Sequence, residues 1–233
     1  MTDSDVRSPA GSPAGREAIL EAFLGLLAER SFETISLTDV AGRAGVSLSE
    51  LRSSFGSTFD MLAGFVRATD AKVLAATEAD QSSEMDDEIE STGRDRLFEV
   101  LMARLDALAP HKAAIGSLAR SMRRNPMLAL GLNRMAVRSQ QWMLAAARIE
   151  NSGLKGTVRA QGLAVLFARV LRTFVTDTDP GLARTMAELD RELAKGERAL
   201  GLLCGVARVA SCRGRRRGMG RVRPEDQAPA AAI

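Results

Sequence analysis

The chain of 233 residues has no tyrosine, one tryptophan, one histidine and two cysteines. Each scarcity excludes something. Cys204 and Cys212 fit no common zinc spacing, and a single His cannot complete a Cys/His metal site. Aromatics amount to 4%, so the core must be built from Leu, Ala, Val, Met and a few Phe. Few β-branched runs among many Ala and Leu favour helices throughout. No apolar run approaches about 18–20 residues, so no membrane-spanning helix is expected. The first fifteen residues are rich in Ser, Pro, Gly and Asp, unlike a signal peptide. A Gly-rich phosphate loop, a nucleophile–base arrangement and a metal-ligand cluster are all missing. The expectation is a soluble cytoplasmic protein that is not an enzyme and needs no cofactor.

Apolar residues make up 45% of the chain, enough for a sizeable core. The net charge is +3, but its distribution matters more than its sum. Residues 204–233 hold seven Arg against Glu225 and Asp226. Without that stretch the chain would be slightly acidic, so its basic character belongs mainly to the tail.

Helical periodicity begins near Arg16. Ile19, Phe23, Leu26 and Leu27 mark a first amphipathic helix to about Arg30. Ser36 with Asp39 starts a second helix, which Gly45 ends. Ser47 with Glu50 forms the capping box S-x-x-E of a third, whose buried stripe is Leu48, Leu51 and Phe55. Ser57 and Asp60 begin a fourth, running to about Thr77 with Phe59, Leu62, Val66 and Val73 inward. Five further helices are read between Pro-, Gly- and Asp-rich breaks, with "NSGLKG" as one break. The expected organisation is a flexible leader (1–15), a helix-turn-helix domain (16–77), an acidic linker (78–93), a helical ligand-binding and dimerisation domain (94–205) and a basic disordered tail (206–233).

The stretch "AGRAGVSLSELRSSF" has the outline of a helix-turn-helix. Such a motif lays one helix across the duplex backbone and sets the next in the major groove. Ser49, Arg52 and Ser53 fall at i, i+3 and i+4, one polar face opposite Leu51. The residues expected to meet DNA are Thr38, Arg43, Ser47, Leu48, Ser49, Arg52, Ser53 and Thr58. Arg52 suits a phosphate or a guanine edge, and the hydroxyls suit phosphates.

Residues 16–66 resemble the TetR/AcrR regulators in order and spacing. "LTDVAGRAGVS" carries the resemblance most specifically, followed by Leu51, Phe55, Ser57 and Leu62 in register. The resemblance implies an all-α, TetR-like fold: a three-helix DNA-binding head on a helical ligand-binding body. It also implies a ligand-responsive regulator, a repressor, binding a palindromic operator on double-stranded DNA as a homodimer. The chain departs from the family pattern at the helix expected to read DNA. Gly near Ser49, Tyr at Arg52, Tyr or His at Ser54 and Lys at Thr58 are the usual residues. Losing that Lys removes one phosphate contact that would release a counterion.

Residues 94–203 resemble, more weakly, the C-terminal region of the lipid-binding ubiquinone-biosynthesis accessory family. Trp142, Arg159, Leu163, Arg169, Val170, Leu171 and the "D-x-D-P-G" stretch carry that match. It implies an alternative reading, a lipid-binding accessory protein with a degenerate helix-turn-helix. Under either reading the body offers a small apolar or lipid-like ligand the candidates Phe98, Met102, Met135, Trp142, Met143 and Phe167. Met adapts to irregular apolar spaces, and a buried Trp needs a partner for its indole N–H. Helices at 157–176 and 181–203 are expected to form a two-fold dimer. Leu163, Val170, Leu171, Leu182, Met186, Leu189, Leu193, Leu200 and Leu203 give them apolar residues on more than one face.

Overall fold

The computed structural model describes residues 13–83 and 92–199. Two compact units are present, Met1–Leu193 and Ala194–Ile233. The described part of the second, residues 194–199, is helical. The expected tail, Leu200, Leu203 and both cysteines lie outside the described residues, as do most of the expected leader and half of the acidic linker.

The first unit is helical, with no strand among the described residues. Its elements are α1 (Pro13–Glu29), α2 (Leu37–Ala44), α3 (Leu48–Ser54), α4 (Thr58–Ser83), α5 (Gly93–Leu108), α6 (Lys112–Arg124), α7 (Pro126–Ala146) and α8 (Gly153–Thr176). A ninth helix, α9, begins at residue 183. Short 3-10 turns at Phe32–Thr34 and Ala109–His111 join α1 to α2 and α5 to α6. Among the described residues, the expectation of about nine helices without a sheet is met.

Two apolar cores organise the unit. The head core gathers Ile19, Phe23, Leu26 and Leu27 of α1 with Val40, Leu51 and Phe55, and it reaches Leu128 and Leu132 of α7. The body core gathers Val73, Leu101, Leu105, Met143, Phe167, Val170, Phe174 and Leu189. Each such side chain, fully buried, is worth roughly 1.5–3 kcal/mol. α4 serves both cores: Met61 and Leu62 point into the head, Val73 into the body.

Several local expectations are corrected. α4 continues past Thr77 to Ser83, into the stretch read as linker. Thr92 and Asp95 form a full capping box, so α5 starts at Gly93. Phe59 is exposed rather than central, and its ring leans on Gly131 of α7. Leu48 is half exposed at 52% and leaves the stripe of Leu51 and Phe55. α8 starts inside the supposed break, because its two glycines have structural uses. Gly153 takes φ +62, and Gly156 packs on the Asn151 backbone so closely that a Cβ would sit 1.7 Å from the Asn151 carbonyl oxygen.

A polar group lies inside the body. The Arg104 guanidinium donates to Asp70 at 2.6 Å and lies over the Phe167 ring at 5.4 Å. Ser139 also donates to Asp70, at 2.7 Å. Burial pushes the Arg104 guanidinium below its usual value, and Asp70 opposes that shift. Arg104 Nε and Gln140 Oε1 are buried without a partner.

Candidate nucleic-acid interface

The helix-turn-helix is fixed by local chemistry. Ser36 Oγ accepts from Asp39 N–H, and Asp39 Oδ2 accepts from Ser36 N–H, which closes the first box. Ser47 and Glu50 repeat the arrangement for α3. Between the helices Gly45 takes φ 65, a left-handed turn that glycine adopts without strain. Behind α3, Arg16 stacks on the Phe55 ring at 4.2 Å and donates to the Ser54 carbonyl. The buried wedge of Val40, Ala41 and Leu51 sets the angle between α2 and α3.

Most of the expected DNA-facing side chains share this surface. Ser47, Leu48, Ser49, Arg52 and Ser53 are all exposed on α3 or its cap. Ser53 Oγ donates to the Glu50 carbonyl at 2.7 Å, and Ser49 Oγ lies 3.0 Å from Ser47 Oγ. Arg52 makes one long contact, 3.5 Å to the Gly56 carbonyl, so its fork is largely available. Thr38 is exposed at the start of α2, with its hydroxyl 2.8 Å from Ser36 Oγ. Thr58 is half-buried at the start of α4.

Arg43 is placed differently. Its guanidinium forms a bidentate pair with Glu29 of α1, both bonds 2.8 Å. That pair raises the Arg43 pKa and holds the Glu29 carboxyl below its ordinary value. Hydrogen bonds from Ser36 likewise hold Asp39 low. From Ser36 to Asp60, the carboxylates of Asp39, Glu50 and Asp60 outnumber Arg43 and Arg52. The net charge of this stretch does not by itself draw a polyanion. The Arg16 anchor, the Arg43–Glu29 pair and exposed Leu37 were not read from the sequence. Only Leu37, an apolar first residue in α2, left a local signal.

The six ligand candidates divide. Met143 and Phe167 sit in the body core, with Phe98 and Met102 packed against it. Phe98 also lines a surface groove of about 330 Å³ with Arg94, Met186 and Asp190. Met135 packs against the head core instead. Trp142 is 56% exposed, so the expected buried ring with a paired indole is not found. The "D-x-D-P-G" stretch is a helix-starting turn: Asp177 accepts from the Thr185 N–H and hydroxyl, and Asp179 from Ala183 N–H. No group of three or more potential metal ligands occurs among the described residues. No helix there is long and apolar enough to cross a membrane.

No family model matches the chain, and no curated protein matches it in sequence. Solved structures do match it. A TetR transcriptional regulator from Nitrosomonas europaea is 22% identical, with a TM-score of 0.60 over 80% of this chain and 99% of that one. A TetR regulator from Rhodococcus sp. RHA1 is 17% identical over 79% and 96%, with a TM-score of 0.47. The TetR family repressor AlkX from a Dietzia species is 18% identical over 80% and 96%, with a TM-score of 0.42. At these identities the likeness is one of fold. The chain has the fold of a TetR transcriptional regulator.

Proposed function

We propose that this chain is a ligand-responsive DNA-binding transcriptional regulator, a repressor, that meets a palindromic operator as a homodimer. One observation carries the reading: a doubly capped helix pair whose second helix turns Ser49, Arg52 and Ser53 to solvent. Arg52 supplies the strong contact, and the hydroxyls of Thr38, Ser47 and Ser49 supply phosphate bonds. With so few cations on the face, the affinity falls only gently with salt. The likeness to the Nitrosomonas europaea regulator supports the same reading.

The dimer surface is proposed on α8. Leu163 and Val170 are buried in the protomer, as are Leu182, Leu189 and Leu193. The exposed large apolar side chains on the two helices of the expected interface are Leu154, Val158 and Val165 of α8, at 82%, 48% and 45%, and Met186 of α9, at 39%. Gly162 continues the α8 face with open space beyond it. An effector would act on the body core around Phe98, Met102, Met143 and Phe167, where the orphaned Arg104 Nε and Gln140 Oε1 provide polar handles. The comparisons give no support to the lipid-carrier alternative.

The test is fluorescence anisotropy on the protein's own upstream DNA and on a scrambled duplex, at two salt concentrations. Tighter binding to the native duplex is expected. Equal affinity for both duplexes would reject operator recognition.

A further inference from the structure

The seam between α1 and α6 holds charge that the helix-turn-helix does not use. A recess of about 160 Å³ opens there. Arg30 and Ser31 border it from the end of α1; Ser117, Arg120, Ser121 and Arg124 border it from α6. The four α6 residues fall at i, i+3, i+4 and i+7, one face of the helix. A face packed against a neighbouring helix is ordinarily apolar. Here Ala114, Leu118 and Met122 make the apolar contact with the head, while the stripe beside them reads Ser, Arg, Ser, Arg, with Ser117 and Ser121 only 4% and 2% exposed.

The positive charge here is poorly compensated. Glu29 also borders the recess, but both its oxygens are taken by Arg43. Arg30 reaches Asp39 only at 3.5 Å, and that carboxylate already serves Ser36. Arg120 and Arg124 have no ion-pair partner among the described residues. The helix dipole favours a cation at Arg124, in the last turn of α6. It does not account for Arg120 one turn back on the same side, beside Arg30 of another helix.

Hydrogen-bond donors converge as well. Ser121 Oγ accepts from Phe32 N–H at 3.1 Å, which leaves its own proton to give. Ser31 makes no side-chain cap bond in its turn. Guanidinium forks bind carboxylates and phosphates in pairs of parallel hydrogen bonds. The small volume fits a compact anion rather than a nucleotide.

We propose that this recess binds a compact phosphate oxyanion, held between Arg30 of the head and Arg120 and Arg124 of α6, with Ser121 as a hydroxyl donor. Beside the apolar contacts of the seam, two polar bonds flank the recess, Ser117 Oγ to the Arg30 carbonyl at 2.7 Å and Phe32 N–H to Ser121. The anion adds a bridge beside them and fixes the head against α6. A free phosphate compound and a duplex backbone offer the same chemistry; the recess is assigned to the free anion.

The experiment is isothermal titration calorimetry of the full chain with pyrophosphate, in low-chloride buffer and without DNA. Saturable binding at a single site per chain is expected, together with a raised melting temperature. Arg120→Ala combined with Arg124→Ala should weaken it by about tenfold or more. The double Lys variant, which keeps charge but loses the forks, should fall between. Both arginines are exposed, so the melting temperature of the anion-free variants should match the parent. Absence of binding at millimolar pyrophosphate overturns the proposal, as does equal binding by the Ala variant. A duplex-binding loss in the Ala variant, with no pyrophosphate binding by the parent, assigns the arginines to DNA and also overturns it. Pyrophosphate binding by a protein that fails on operator DNA leaves this site standing and rejects only the regulator reading.

Discussion

Arg104 and Asp70 join α5 to α4 through a 2.6 Å hydrogen bond, and both side chains are almost wholly buried. Removing one partner leaves the other charge without compensation in the core. Asp70→Ala should cost about 3–5 kcal/mol. Asp70→Leu with Arg104→Met should cost far less, since neither charge then remains. Urea unfolding of the two variants checks this; equal losses would refute the ion-pair account.

Arg52 is the one cation of α3, and its guanidinium is largely available. If it reads a base edge, Arg52→Ala should cost about 1–3 kcal/mol and relax preference at one position of each half-site. If it holds a phosphate, the loss should be even across sequences, with a shallower salt dependence. Arg43→Ala should weaken DNA binding less, because that side chain is already paired with Glu29. Anisotropy with a panel of single-base operator variants separates these outcomes.

Both capping boxes of the helix-turn-helix sit on exposed serines, so their removal tests local stability without disturbing a core. Ser47→Ala should cost about 1 kcal/mol, and Ser36→Ala a similar amount. These helices run Leu37–Ala44 and Leu48–Ser54, too short to form alone. Hydrogen exchange in α3 of the Ser47 variant should rise above that in α5.

How much of this was legible in the sequence depended on range. Ser36–Asp39, Gly45 and Ser47–Glu50 were readable because capping needs partners within three or four residues. The Thr92–Asp95 box is equally local, but the acidic composition before it masked the helix start. Arg16 with Phe55, Glu29 with Arg43 and Arg30 with α6 are encounters between elements, which periodicity does not register. Trp142 shows a related limit. An apolar residue in an apolar-rich helix reads as core, whereas its direction depends on which neighbours cover that side. On α7 they cover Met143 and Leu144 and leave Trp142 out.

Acid should destabilise the start of α9. Hydrogen bonds from Thr185, first through its hydroxyl, hold the Asp177 carboxyl below its ordinary value. A carboxylate with a depressed folded pKa adds stability above its unfolded pKa of about 3.9 and loses it as the pH falls through the folded value. Asp95, held low by Thr92, acts in the same direction at α5. Melting temperature should therefore drop below about pH 4. Asp177→Asn should be less stable at neutral pH and should lose less on acidification. A parallel decline in both proteins would exclude Asp177 as a source.

The α8 face gives a test of assembly. Val158→Glu with Val165→Glu places two charges on the exposed stripe, away from the body core. Sedimentation of the parent should give a dimer and that of the variant a folded monomer. A monomeric parent would rule out the proposed α8 contact.

α4 puts Met61 into one apolar core and Val73 into the other. Composition alone would draw a domain border within this helix, at residue 77, as though two modules had been strung together. A fragment ending there would cut the helix and end with Val73 bared, its covering left on the other piece. Neither half should then be expressible as a stable protein, and heat should melt head and body in a single calorimetric transition. Swapping heads between such chains would need the partners of Val73 in the body, and Leu128 and Leu132 of α7, exchanged along with the head.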